Sequence, residues 1–240
     1  MKTSIKTHEG RVALVTGAAQ VIGQAIALAL ADRGAQVIAT DLKAPHETVH
    51  KIGPTAYALE LDVTQEEQWR SVADKARDMG GADIVVNSAG YFPNRSIDEL
   101  DLPTWQKTMA TSLDSHFLSV KHFLPTMRKK KWGRFVGMSS NMVGLAIPGM
   151  SHYIATKMGI IGFMRGLELC VCCPILRRRG RKPGIILMPP TKLQERGRQR
   201  SRSFEIEIPL PLIAFFPSRS CSTIRALGMD CPASGPLLPG

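Results

Sequence analysis

The stretch from Arg11 to Asp41 constrains this chain more than any other. Arg11-Val-Ala-Leu-Val-Thr16 is a short apolar run ended by Thr-Gly, which predicts a buried strand. Thr16-Gly-Ala-Ala-Gln-Val-Ile-Gly23 then reads as a turn. Gln24 to Arg33 has helical apolar spacing, with Gly34 as its stop. Gln36-Val-Ile-Ala-Thr-Asp41 is the second strand and ends on an acid 24 positions after Gly17. Gly17 permits the tight turn, and Gly23 permits close packing at the helix start. Backbone N–H groups and the helix dipole there can receive a pyrophosphate. An acid about 20 residues beyond the glycines suits the ribose 2′-OH of NAD and repels the 2′-phosphate of NADP. A turn glycine, a packing glycine and a surface Asp, taken singly, would not need to stand in strand-turn-helix-strand order.

A second constellation lies in Ser151-His-Tyr-Ile-Ala-Thr-Lys157, with Ser139 and Ser140 upstream. Tyr153 and Lys157 are four apart, which puts them on one helical face a turn apart. An ammonium in that place favours a phenolate, so Tyr153 becomes usable as an acid/base near neutral pH. Tyr-x-x-x-Lys alone occurs in many helices by chance; its weight comes from the dinucleotide-type turn ahead of it.

Taken together these residues resemble the short-chain dehydrogenase/reductase family, from about Gly10 to Leu169. The motifs are Thr16-Gly-Ala-Ala…Gly23, Asp62-Val63, Asn87-Ser-Ala-Gly90, Ser140 and Tyr153…Lys157. Trp105, Trp132-Gly-Arg, Tyr91-Phe-Pro and Asp98-Glu-Leu100 also fit. The middle of the chain is similar to bacterial alcohol dehydrogenases acting on secondary alcohols such as 1-phenylethanol. The resemblance implies a single α/β domain with a Rossmann-like, doubly wound parallel sheet. It implies that Thr16, Gly17, Gln20, Val21, Ile22 and Gly23 line the phosphate turn. Asp41 would hold the adenosine ribose, and Asp62 and Val63 the adenine edge. Asn87, Ala89 and Gly90 would close the adenine side and brace the central strand. Ser140, 13 residues before Tyr153 as in the family, would hydrogen-bond the substrate oxygen. Tyr153 would take the alcohol proton, and Lys157 would bind the nicotinamide ribose and tune Tyr153. Hydride would pass between a small secondary alcohol or ketone and NAD. Tyr91, Phe92, Met142, Ile147 and Met150 flank this site as candidate pocket residues, each equally readable as core. Assembly into a homodimer or homotetramer through helices around Pro103–Lys130 and Ser151–Leu169 is a further implication.

Two residues depart from the family inside this region. Val21 stands where a third turn glycine is usual, and Val is stiff and avoids positive φ. Weaker cofactor binding is expected. Ser112 lies seven residues after Trp105, where the family has an Asn that holds a proton-relaying water. A Ser hydroxyl donates and accepts but is shorter. His116, one turn on, is read as a core histidine, with a part in that relay as the alternative.

The text changes after Leu169. Asp83–Asn87 and Arg134–Met138 still read as the fourth and fifth strands, and Pro103–Lys130 and Ser151–Leu169 as helices. Residues 170–240 then hold ten of the 16 Pro, and 12 Lys and Arg against four Asp and Glu. The domain reading is therefore 1–169 as the NAD-binding and catalytic unit and 170–240 as an atypical basic tail. Only Gly184–Met188 reads as a strand there. The shift to Arg, Pro, Ser and Cys resembles out-of-frame translation, with a naturally divergent tail as the alternative. Either would make the chain a catalytically impaired scaffold, the rival to the enzyme reading. A nucleic-acid-binding tail is the weaker rival: Arg177–Arg179, Arg181 and Lys182 lack interleaved aromatics or a surrounding binding motif, and read as a solvated charge run.

Composition agrees with one globular domain: 240 residues, 44% hydrophobic, and no apolar run of membrane-spanning length. Met1–Gly10 lacks the apolar core of a signal peptide, so a cytoplasmic setting is expected, where the five Cys stay thiols. Cys170, Cys172 and Cys173 have no paired C-x-x-C or nearby His, so no metal site is expected.

Overall fold

The computed structural model describes residues 6–170. The expected strand at Gly184–Met188, the basic run Arg177–Lys182 and the predicted tail beyond Cys170 lie outside the described residues. Within them the chain alternates strand and helix. β1 (Val12–Thr16), α1 (Val21–Asp32), β2 (Gln36–Asp41), α2 (His46–Ile52), β3 (Ala56–Glu60), α3 (Glu66–Asp78) and β4 (Ile84–Asn87) come first. α4 (Leu102–Met109), a π turn (Ala110–Asp114), α5 (Ser115–Lys130), β5 (Arg134–Gly137), a 3-10 turn (Asn141–Gly144) and α6 (Ser151–Cys170) follow. The strands form one parallel sheet in the order β3-β2-β1-β4-β5. This is the expected doubly wound α/β architecture. The order reverses between β1 and β4, and in such sheets the ligand crevice opens there, beyond the carboxyl ends of the strands.

The central strands β1 and β4 are buried along their whole length because both of their faces are covered. On one face Val12, Leu14, Ile38 and Val85 meet Trp69, Val72 and Ala76 of α3 and Phe123 and Met127 of α5. On the other, Ala13, Val15, Val37, Ala39, Ile84 and Val86 meet Ala27 of α1, with Ile26 and Leu30 beside it. Trp69 is fully buried, donates Nε1–H to the Val63 carbonyl at 2.9 Å and meets Phe123 edge-on.

Two elements differ from the sequence expectation by more than a residue at an end. α1 begins at Val21 rather than Gln24, because the first helical bond closes from Gln24 N–H to the Gln20 carbonyl at 3.2 Å. The helix expected over Pro103–Lys130 is interrupted by the π turn, which adds a residue to the winding just where Ser112 sits. Its start is as the sequence suggests, with Asp101 Oδ1 capping Thr104 N–H at 2.8 Å and Pro103 in the first turn.

The end of the sheet opposite the crevice is held by Asp83, which is 1% exposed. It accepts from Val12 N–H at 3.0 Å, Arg11 Nη1 at 3.4 Å and Lys130 Nζ at 2.5 Å. One carboxylate thus ties the starts of β1 and β4 to the end of α5. Asp83→Ala should cost about 2 kcal/mol, below the ~3–5 kcal/mol of a fully buried pair because both cations can turn to water. Urea unfolding checks this. Asp83→Asn, which keeps an acceptor for Val12 N–H, should lose less.

Candidate active site

The carboxyl ends of β1, β2, β4 and β5 bring together most of the residues singled out by sequence. The turn after β1 has no room for side chains at two points. Gly17 has φ +65°, and a Cβ on it would lie 2.9 Å from Ala89 Cα. A Cβ on Gly23 would overlap the Gly17 carbonyl. Between them Ala18 N–H donates to the Thr40 carbonyl at 3.0 Å, and Ala19 N–H donates to Asp41 Oδ2 at 2.9 Å. The other Asp41 oxygen accepts from Leu42 N–H at 2.8 Å. Asp41 therefore pins the turn as well as facing the crevice, and each oxygen keeps a lone pair for a hydroxyl. From below, Thr48 Oγ1 donates to the Ala18 carbonyl at 2.7 Å and accepts from Gln24 Nε2 at 2.9 Å.

Thr16 is placed differently from its turn-lining expectation. Its buried hydroxyl accepts from Ser88 and Ala89 N–H at 3.0 and 3.1 Å, so it braces β1 against the exit of β4. Gln20, Val21 and Ile22 are exposed at the start of α1, where first-turn N–H groups have no intrahelical partner. Val21 holds φ +44°, in the left-handed region that favours glycine. A β-branched residue there carries about 1–2 kcal/mol of steric cost. Val21→Gly should therefore stabilise the fold by about 1 kcal/mol after the flexibility of Gly is deducted. A melting temperature higher by a few degrees would show it; an unchanged or lower one would mean the turn carries no strain.

Just beyond β3, Asp62 Oδ1 accepts from Thr64 N–H at 2.9 Å and Thr64 Oγ1 at 2.7 Å. Val63 is buried beside it. Asn87 ends β4 only 2% exposed, with neither Oδ1 nor Nδ2 hydrogen-bonded. Buried amides are rarely left so. An unpaired amide, a cradle closed to any Cβ and free first-turn N–H groups together fit a dinucleotide.

The catalytic candidates lie at the β5 end. Lys157 is 5% exposed and donates Nζ–H to the Met138 carbonyl at 2.8 Å. Burial lowers its pKa from 10.5 to about 8. Nζ is 5.3 Å from the centre of the Tyr153 ring, and Phe92 covers that ring at 5.3 Å between centroids. Ser140 Oγ accepts from Met142 N–H at 3.2 Å, capping the 3-10 turn. Gly90 borders Ser112 and Lys157 together: a Cβ on it would lie 3.8 Å from Ser112 Oγ and 4.0 Å from Lys157 Nζ. Ser112 is buried in the π turn, accepts from Tyr91 N–H at 3.2 Å and donates to the Tyr91 carbonyl at 3.4 Å.

Of the pocket candidates, Phe92 faces Tyr153 and is 60% exposed, whereas Met150 is buried core. Three supporting residues were not foreseen from sequence. Gln24 and Thr48 hold the turn from α1 and α2. His152, fully buried, makes a 2.8 Å hydrogen bond through Nε2 with the Pro93 carbonyl and ties α6 to the loop that presents Phe92. Adjacency to Tyr153 was the one available signal for His152; nothing marked Thr48. Among the described residues no group of three His, Cys, Asp or Glu side chains is arranged to hold a metal, and no helix is long and apolar enough to cross a membrane.

Residues 11–176 match the family model described as short chain dehydrogenase. Over 162 residues the chain is 37% identical to the 3-oxoacyl-[acyl-carrier-protein] reductase FabG of Vibrio cholerae, covering 66% of each chain. Over 200 residues it is 30% identical to a D-beta-hydroxybutyrate dehydrogenase of Rhizobium meliloti, covering 80% of this chain and 78% of that one. A crystal structure assigned as a short-chain alcohol dehydrogenase from Sinorhizobium meliloti 1021 superposes with a TM-score of 0.65 at 36% identity, over 68% of this chain and 67% of the other. The chain thus spans about two thirds of the length of the reductases it matches first. A parallel sheet reversing at β1 and β4, a glycine cradle pinned by an acid and a Tyr–Lys pair beside it agree with those matches: the chain belongs to the short-chain dehydrogenase family.

Proposed function

We propose that this protein is an NAD-linked oxidoreductase that interconverts a small secondary alcohol and its ketone. The observation that carries the reading is Lys157, a buried ammonium tied to the Met138 carbonyl and set against the Tyr153 ring. It favours the phenolate of Tyr153, the group that takes the alcohol proton or returns it to the ketone oxygen. Ser140 offers a hydroxyl to the same substrate oxygen, and Phe92 gives an apolar wall that suits an aromatic or alicyclic substituent. When bound, the nicotinamide supplies the hydride acceptor or donor. Gly17, Gln20, Val21, Ile22 and Gly23 would hold its pyrophosphate and Asp41 its ribose. Asp41 supports NAD over NADP, since a 2′-phosphate would meet a carboxylate. The relatives' printed names include ketone-reducing and alcohol-oxidising proteins, which supports the reaction class.

The test is the melting shift with NADH and with NADPH, followed by turnover with secondary alcohols. A ligand that binds only the folded form raises the melting temperature. A shift with NADH alone supports the cofactor reading, and a larger shift with NADPH would overturn it. The impaired-scaffold reading, raised by the altered tail, is also supported by Val21 in the left-handed region and by Ser112 bonded to Tyr91. A cooperative melt, unmoved by either nucleotide, would favour it.

Lys157 also sets opposite pH trends for activity and stability. Its folded pKa lies below its unfolded one, so between about 8 and 10.5 the unfolded chain binds more protons. Its contribution to stability therefore rises with pH in that window, while kcat should fall as the ammonium is lost above about 8. A pH profile of kcat beside one of melting checks both, and Lys157→Met should remove the stability trend.

Assembly through the faces of α4, α5 and α6 is part of the same proposal. Trp105, Phe117 and Met158 stand exposed on them, at 37%, 52% and 57%.

A further inference from the structure

Residues 88–96, between β4 and α4, form neither helix nor strand. Such a segment has to place its backbone hydrogen bonds on its surroundings. Tyr91 N–H donates to Ser112 Oγ at 3.2 Å, and the Tyr91 carbonyl accepts from it at 3.4 Å. Lys107 Nζ lies 4.6 Å from the centre of the Tyr91 ring. Further on, Arg95 N–H donates to the Gly149 carbonyl at 3.0 Å. Gly149, at φ +75°, is so close to Asn94 that a Cβ on it would overlap the Asn94 amide. Between these two ties stands Phe92, more than half exposed, its ring against that of Tyr153.

Pro93 follows Phe92 and has no N–H, so its carbonyl is the one polar group it offers. Proline fixes its own φ and confines the residue before it to extended backbone. A hold on the Pro93 carbonyl therefore reaches Phe92 with little slack. His152 Nε2 supplies that hold at 2.8 Å. A carbonyl only accepts, so Nε2 carries the proton and Nδ1 is bare. His152 is fully buried, and Nδ1 has no hydrogen-bond partner among the described residues. An unpaired buried atom costs stability, and an apolar side chain of similar size would fill the place without that cost. What the imidazole adds is the donor. It also stands next to Tyr153 in the first turn of α6, so the hold and the acid/base share one rigid element.

We propose that His152 is a positioning residue for the substrate: by holding the Pro93 carbonyl it fixes the Phe92 ring as a stationary wall over Tyr153. A flat substituent on the alcohol carbon then meets a ready-made ring, while a small alkyl group gains nothing from it. The spacing of wall and acid/base is set by α6 itself. The effect on substrates rests on the proposed reaction at Tyr153; the strap from His152 to Pro93 does not.

The test pairs His152→Leu, which fills the place without a donor, with His152→Gln, whose amide can reach the same carbonyl and donate. The probes are 1-phenylethanol and 2-butanol. In His152→Leu, KM for 1-phenylethanol should rise about tenfold with kcat held, because the wall contacts ground and transition states alike. KM for 2-butanol should barely change. His152→Gln should bring KM for 1-phenylethanol back towards the wild-type value. A KM that stays put in His152→Leu, that moves alike for both alcohols, or that Gln does not recover overturns the proposal. Nuclear Overhauser contacts between the Phe92 and Tyr153 rings read the wall without turnover. They should be present in the wild type and His152→Gln and lost in His152→Leu; their persistence in His152→Leu also overturns the proposal. Ring 15N spectra of the wild type need no variant: a protonated Nε2 supports the strap, and a bare Nε2 rejects it. If the wild type turns over neither alcohol, the reaction reading fails while the two spectroscopic arms still decide the strap.

Discussion

Tyr153→Phe is expected to lower kcat by about 10²–10⁴-fold, the usual worth of a positioned acid/base. The loss should fall on the chemical step. The Phe ring fills the same half-buried place beside Phe92, and neither Lys157 nor its bond to Met138 depends on the phenol oxygen. The NADH-induced melting shift should shrink by no more than one hydrogen bond's worth, about 1 kcal/mol. A variant that keeps a tenth or more of wild-type kcat would remove Tyr153 from the chemistry and leave Ser140 or a water to carry the proton. A variant that loses the melting shift entirely would make Tyr153 a binding residue first.

Gly23→Ala should have the largest effect on the cofactor cradle. Its added methyl would run into the carbonyl of Gly17, so either α1 moves out or the turn opens. Overpacking of this kind costs about 1–3 kcal/mol and at times more; rigid backbone on the receiving side places this site at the upper end. The turn is also held by Asp41 and by Thr48, so its displacement should carry Ala18 and Ala19 away from those partners. The expected result is a melting temperature lower by several degrees and no response to NADH. A stable variant with an undiminished NADH shift would show that the turn and α1 are not packed as described.

The sequence exposed these features unevenly, for physical reasons. β2 falls on its expected residues because its buried run from Val37 to Thr40 is continuous, and its end at Asp41 is chemically abrupt. Gly17 and Gly23 were readable because the turn leaves no room for a side chain at either place. The strain at Val21 was readable too, since a β-branched residue in a glycine's place announces its own cost, and its φ is +44°. The π turn was not readable: Ala110–Asp114 has no Pro or Gly to mark an extra residue, and the winding is decided by tertiary contacts around Ser112. Thr48 was invisible because a hydroxyl that supports a carbonyl from another helix leaves no periodic trace. His116 was read as core, and it is core.

Asp41 carries a last consequence, for redesign. Its two oxygens fasten Ala19 and Leu42, so the residue proposed to choose the coenzyme is also a clamp on the phosphate loop. Selectivity and preorganisation are thereby one variable, and changing the first disturbs the second. An Asp41→Ser exchange intended to admit a 2′-phosphate would release the loop as well, and affinity for both coenzymes would fall together. Reversal of preference at this position needs a second substitution that gives the Ala19 N–H a new acceptor before any cation is brought in for the phosphate.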